Sequence, residues 1–228
     1  MNIGTIYATK GFYNEYERFE VISNNLANVS TPGFKRDIYA LDKNSNPYTE
    51  TDMSEGPVQH TGNELDFSIQ GEGFFEMLGE NGLRYTRQGR FLLNADKEIV
   101  NAAGDKLLSD RGDPIVVDGG DLSLAPDGTL MVDGKELETI AVVNFENPKM
   151  LSKEGATYYV SEGGAGERLE RPEGTIVNQG YLEQSNVIVP QEMVKMMESL
   201  RTYETFQKYM NTASEMDTKA VSEVGMLR

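Results

Sequence analysis

Pro190-Gln191-Glu192-Met193-Val194-Lys195-Met196-Met197-Glu198-Ser199-Leu200-Arg201-Thr202-Tyr203 opens a run that continues to about Val224 with no glycine and no proline after the first residue. Proline suits the first turn of a helix, where its missing N–H is not needed. Met193, Met196, Leu200, Tyr203, Met210, Val221 and Val224 recur at steps built from threes and fours, which places them on one helical face; Gln207, Ser214 and Asp217 are polar interruptions. The spacing predicts a helix of roughly 35 residues, about 50 Å long at 1.5 Å per residue. Globular helices average about 11–12 residues. A helix this long has no core of its own and needs a partner.

The other end of the chain offers one. From Met1 to about Val29 there is no proline, and Ala8, Phe12, Tyr16, Phe19, Ile22, Leu26 and Val29 mark one helical face. Thr31-Pro32-Gly33 ends that pattern, because proline cannot extend the ladder and glycine frees the turn. The two ends are expected to pair as a coiled coil.

Between them the chain changes character. Asn81-Gly82, Asp127-Gly128 and Asp133-Gly134 separate short runs rich in β-branched and aromatic residues, at Gly73 to Leu78, Leu83 to Thr86, Ile115 to Val117 and Thr139 to Phe145. Turn signals between short alternating runs predict antiparallel strands. Leu122 to Leu124 and Thr129 to Val132 are expected to form a hairpin. Leu41 to Asn63 is polar, with Pro47 and Pro57, and reads as an extended linker; Ser161 to Gly166 is a glycine-rich break. The expected fold is α+β, with a mainly antiparallel β domain inserted between two paired terminal helices. Its divisions are residues 1–36 (first helix), 37–65 (linker), 66–177 (β domain) and 178–228 (second helix).

Charge follows the same division. The 21 basic and 37 acidic residues leave a net charge of −16. Residues 1–40 hold four of each sign, and 178–228 hold seven acidic and five basic, so nearly all the excess falls on 41–177. Nearly neutral amphipathic ends can pack against copies of themselves, whereas an acidic middle prefers solvent. A chain this acidic is not expected to bind nucleic acid or an anionic membrane surface. No apolar run reaches the roughly 18 residues of a membrane span, so no direct membrane insertion is expected. Met1 to Lys10 lacks the basic stretch and apolar core of a signal peptide. With no cysteine there is no disulfide and no thiolate chemistry.

Three stretches carry a family resemblance. Ser23-Asn24-Asn25-Leu26-Ala27-Asn28, with Ser30-Thr31-Pro32-Gly33-Phe34-Lys35 after it, resembles the N-terminal signature of flagellar rod, hook and hook-associated proteins. Asp66-Phe67-Ser68-Ile69-Gln70-Gly71-Glu72-Gly73-Phe74-Phe75, then Tyr85-Thr86-Arg87-Gln88-Gly89-Arg90-Phe91, resembles the entry to that family's β domain. Gly180-Tyr181-Leu182-Glu183-Gln184-Ser185-Asn186-Val187, then Glu192-Met193-Val194 and Arg201-Thr202-Tyr203-Glu204, resembles its C-terminal helix.

The resemblance implies a structural subunit of the flagellar basal-body rod, exported by the flagellar type III export apparatus without a cleaved signal. It implies helical polymerisation across the periplasm. The terminal helices would line the inner tube, and the partners would be copies of the chain itself and other flagellar rod proteins. The length resembles that of the proximal rod member more than the hook protein or the distal rod member.

The subunit interface is expected at Phe19, Ile22, Asn24, Asn25, Leu26, Asn28, Val29, Met193, Met196, Leu200, Tyr203, Met210 and Val221. Asn24, Asn25 and Asn28 fall at helical spacings, where amides can fix register between subunits at some cost in stability; capping of the helix end before Pro32 is the competing reading.

Enzymatic chemistry finds no support. His60 is the sole histidine and sits in the polar stretch. Asp127 and Asp133 precede glycines and read as turns. Gly71 and Gly73 lack the following helix of a phosphate loop. Arg111-Gly112-Asp113 reads as a loop, and Asn28-Val29-Ser30 as a chance glycosylation acceptor. No catalytic residue, metal or cofactor is expected. A coiled-coil adaptor with an acidic β domain is the alternative outside the family; it would remain a discrete dimer, whereas a filament subunit makes contacts that do not close.

Overall fold

The computed structural model describes the backbone of residues 3–225, and the side chains of residues 4, 6–216, 218 and 219. It divides into two compact units. One comprises Met1–Ala27, Asp37–Glu50 and Ile188–Arg228; the other comprises Asn28–Arg36 and Thr51–Val187.

The first unit is built on α1 (Ile3–Ala27) and α2 (Val189–Gly225), with the short pair β1 (Asp37–Leu41) and β2 (Pro47–Thr51), whose last residue passes into the second unit. Pro190 sits in the first turn of α2, as its chemistry favours. The two helices run antiparallel: the Cβ that Gly11 lacks would lie 2.5 Å from the Phe206 ring, Phe12 stacks on Tyr203 at 4.5 Å between centroids, and the Ser199 hydroxyl donates to the Glu15 carbonyl at 3.1 Å. Ala8 and Ile22 from the predicted stripe are buried there. α1 stops at Ala27, ahead of the Thr31-Pro32-Gly33 break, and residues 28–30 form turns.

Residues 37–50, read from the sequence as the start of a linker, are ordered into this unit. Pro47 is tolerated because it opens its strand. The connecting turn is closed by the Asp42 carboxylate, which accepts from the N–H groups of Asn44 and Asn46 at 2.8 and 2.7 Å.

The second unit carries sixteen short strands: β3 (Val58–His60), β4 (Phe67–Gln70), β5 (Phe74–Gly79), β6 (Gly82–Thr86), β7 (Leu92–Leu93), β8 (Ile99–Val100), β9 (Lys106–Leu107), β10 (Leu122–Leu124), β11 (Thr129–Val132), β12 (Lys135–Thr139), β13 (Val142–Phe145), β14 (Ser152–Glu154), β15 (Tyr158–Val160), β16 (Arg168–Leu169), β17 (Ile176–Gln179) and β18 (Tyr181–Glu183). Its main sheet runs β14-β15-β6-β5-β9-β8-β7, with β13 pairing β5 and β16. The pairings are antiparallel. Phe67, Phe75, Phe91, Ile99, Leu107 and Ile115 anchor one core cluster, and Phe74, Tyr85, Phe145 and Tyr159 a second.

The predicted hairpin is present, with Leu122 opposite Val132 and Leu124 opposite Leu130. Asp133 and Gly134 both take positive φ, +52° and +76°, the backbone of the tight turn that an Asp-Gly pair favours. Ile115 to Val117, expected as a strand, contributes only a single bridge from Val116 to Glu98. The linker reading also gives way at β3, which pairs with β18 about 120 residues later, Val58 opposite Glu183. Residues 28–36, assigned from sequence to the first helix, and 178–187, assigned to the second, lie in this β-rich unit.

Candidate functional site

Within the β-rich unit, three of the quoted motifs meet at a buried charge cluster. Gly33, at φ +72°, brings its backbone close to the Arg87–Gln88 peptide, where any Cβ would sit 2.4 Å from the Gln88 nitrogen. That approach carries the next residues inward. Lys35 is 1% exposed, Arg87 5% and Glu183 2%.

The Lys35 ammonium lies 2.5 Å from one Glu183 oxygen and Arg87 Nη1 3.4 Å from the other. The remaining bonding capacity is largely met by backbone. Lys35 donates to the Ser54 carbonyl at 2.7 Å, Gly56 N–H donates to Glu183 at 2.9 Å, and Arg87 donates to the Gly71 carbonyl at 2.7 Å. Burial pulls the Lys35 ammonium below the usual lysine range, against the opposing attraction of Glu183. Beside the cluster, Asn186 accepts from Arg36 N–H at 2.8 Å and donates to the carbonyls of Asp52 and Ser54. Two cations on one carboxylate, fully enclosed, make a structural clasp.

The helical unit has its own buried polar contact. Asn25 is 1% exposed. Its amide donates to the Asp37 carbonyl at 2.8 Å and to Glu192 at 3.3 Å, and its oxygen accepts from Asp37 N–H at 2.8 Å. Asn25 therefore ties α1 to the start of β1 and the first turn of α2 within one chain. The Asn28 oxygen accepts from the Thr31 hydroxyl at 3.2 Å.

The other expected interface residues divide by exposure. Ile22 is buried; Phe19, Leu26, Asn28, Val29, Met196, Tyr203 and Met210 are half-buried; Asn24, Met193 and Leu200 are exposed. Val221, with Val224, lies outside the described side chains. Tyr16, Phe19, Leu200, Tyr203 and Ser199 line an open groove of about 190 Å³. Apolar side chains are exposed on the same two helices: Ile6, Tyr13 and Tyr16 on α1, and Met193, Val194, Met197 and Leu200 on α2. Sequence periodicity missed Phe206, Ser199 and Glu192, and it missed the clasp, whose charged members stood in plain view inside the quoted motifs.

Of the residues set aside in the sequence, His60, Asp127, Asp133 and Arg111 to Asp113 are exposed. His60 is exposed and packs on the Tyr181 ring at 4.8 Å. Asp127 accepts from Thr129 N–H at 3.0 Å within its turn. Arg111-Gly112-Asp113 is an exposed turn held by Gly112 N–H on the Ser109 carbonyl at 2.8 Å. Among the described residues no group of three or more metal-ligating side chains occurs, and no helix is long and apolar enough to cross a membrane.

Three family models match the chain. Residues 14–35 match "Flagella basal body rod protein", 68–133 match "Flagellar hook protein FlgE/F/G D1 domain", and 178–223 match "Flagellar basal body rod FlgEFG protein C-terminal". Lys35, Arg87 and Glu183 fall one in each. Over 235 residues the chain is 30% identical to the flagellar basal-body rod protein FlgG of Buchnera aphidicola from Acyrthosiphon pisum, covering 86% of this chain and 90% of that protein.

The chain belongs to the flagellar basal-body rod protein family.

Within this family it is also 29% identical over 227 residues to FlgF of Caulobacter vibrioides, covering 91% of this chain and 92% of the relative. It is 27% identical over 245 residues to FlgG of Bacillus subtilis, covering 90% and 93%. One residue from each of the three family matches thus joins the buried charge cluster.

Proposed function

We propose that this chain is a structural, non-enzymatic subunit of the flagellar basal-body rod that polymerises helically through α1 and α2. The observation that carries the reading is the apolar exposure of those helices. Tyr13 is 61% exposed and Met193 53%, on helices that already have each other as partners. Exposed apolar patches of this kind mark surfaces that another chain covers.

The helix pair is read as a coiled coil, supported by the antiparallel contacts at Gly11, Phe12 and Ser199. The subunit interface is read at the exposed and half-buried members of the expected set, with Asn25 reassigned to holding one subunit's own helices together. The chain is read as the proximal, FlgF-type subunit; the distal, FlgG-type position is the alternative. Its partners are further copies and other rod proteins, and its route is the flagellar export apparatus to the periplasm-spanning rod. Electron microscopy of basal bodies purified from cells carrying a tagged chain tests this. Tag density along the rod supports the reading, and a chain recovered only as a soluble dimer overturns it.

A further inference from the structure

Partner numbers fall along α2 as they rise along α1. The Cβ that Gly4 lacks would lie 2.7 Å from the Tyr209 hydroxyl, and that of Gly11 2.5 Å from the Phe206 ring; Phe12 stacks on Tyr203, and Glu15 accepts from Ser199. The described start of α1, at Ile3, therefore lies beside residues near 210, whereas α2 continues to Gly225. The end of α2 runs on for about 20 Å at 1.5 Å per residue. Its apolar positions keep helical spacing, at Met210, Ala213 and Met216, and Met216 is 65% exposed.

The same unit carries a second orphan surface, the groove of about 190 Å³ between Tyr16, Phe19, Leu200 and Tyr203. Leu200 and Met216 stand on one continuous helix, roughly 24 Å apart along its axis. The end of α2 cannot bend back into the groove of its own chain, so a helix end that fills the groove comes from another molecule.

We propose that the end of α2 around Met216 docks in the Tyr16–Phe19–Leu200–Tyr203 groove of a second copy of this chain. The inference rests on the rod-subunit reading and specifies its contact. The two surfaces match in chemistry: an unbranched thioether adapts to an irregular aromatic gap and gains from sulfur–ring contact. They are also different surfaces, so the contact is heterologous. Each copy that docks leaves one free groove and one free helix end, and growth does not close.

That property gives the test. Met216→Glu removes a usable helix end and keeps the groove; Leu200→Glu does the reverse. Sedimentation of the full chain is expected to show polymers for the native protein, monomers for each variant alone, and discrete dimers for their equimolar mixture. The dimers form because one intact end meets one intact groove. A mixture that stays monomeric, or a variant that polymerises like the native chain, overturns the inference. If the native chain polymerises while this pattern fails, the rod-subunit reading survives; if the native chain never polymerises, both fall.

The chain has no cysteine, so a second measurement is clean. Full-length Tyr16→Cys and Met216→Cys chains are mixed and oxidised. A disulfide joining unlike chains is expected. Its absence, or equal cross-linking of either variant with itself, counts against the contact.

Discussion

The Lys35 ammonium lies 2.5 Å from the carboxylate of Glu183, a residue 148 positions later in the chain. Both are enclosed, and Arg87 completes the group on the other Glu183 oxygen. Taking charges out of water is costly, so such a pair contributes less through its own attraction than through the penalty of breaking it. Glu183→Gln would leave two buried cations without a counter-charge and is expected to destabilise the β-rich unit by about 3–5 kcal/mol. Lys35→Met leaves Arg87 on Glu183 and should cost distinctly less. Urea unfolding followed by tyrosine fluorescence checks the order of the two; equal losses would mean that Glu183 does not hold both cations.

Asn25 occupies the corresponding place in the helical unit. Asn25→Leu keeps the approximate volume and removes the two hydrogen bonds that Asn25 makes to the backbone of Asp37 at 2.8 Å each. A typical intramolecular hydrogen bond contributes about 0.5–1.5 kcal/mol net. Loss of helix signal at lower temperature is expected for this variant. The exposed neighbour makes the control: Asn24→Leu should cost less than Asn25→Leu.

The helices were legible because periodicity is a local signal. Ile22 and Ala8 face inward as the three-four spacing requires, and Pro190 marks the start of α2. The hairpin at Asp127-Gly128 and the tight turn at Asp133-Gly134 were equally local. What could not be read was pairing across distance. Val58-Gln59-His60 is exposed and polar in composition, yet it forms a strand because Tyr181 to Glu183 arrives beside it from far along the chain. Lys35 and Glu183 look like ordinary surface charges in sequence, since nothing local shows that Gly33 will carry Lys35 into the interior. The asparagine motif was legible as important, but its hydrogen-bond partners were not. The spacing of Asn24, Asn25 and Asn28 suggested contacts between subunits, but only the fold shows that Asn25 spends its hydrogen bonds on its own chain.

Alkaline pH should find a weak point at Tyr158. Burial and its hydrogen bond to Asp105, at 2.5 Å, push the phenol up from 10.0 to about 12. A folded-state value above the unfolded one means that the native chain holds the proton longer. The stabilisation is fully present below pH 10 and is lost as pH rises through about 12. Tyr158→Phe should flatten this decline while lowering stability at pH 8, because Asp105 and Asn101 lose their shared hydroxyl partner. Thermal melts between pH 8 and 11.5 read both effects. A native chain whose melting temperature declines no faster than the variant's above pH 10 would contradict the assignment.

Assembly and folding should separate cleanly on α2. Leu200 is 43% exposed in the single chain and lines the open groove, so Leu200→Asp puts a charge where the isolated subunit is solvated. Its effect on the melting of the monomer should stay within about 0.5 kcal/mol. In an assembled rod the same carboxylate would be enclosed without a partner, a cost of several kcal/mol at every copy. Motility of cells lacking the native subunit should therefore be lost with Leu200→Asp. Leu26→Asp should lose it too, with some loss of monomer stability because Leu26 is half-buried in its own chain. Asp127→Lys, a charge reversal of two units in a solvated turn of the β-rich unit, should leave swimming intact. Cells that swim normally with Leu200→Asp would remove α2 from the assembly surface, whatever the stability of the purified chain.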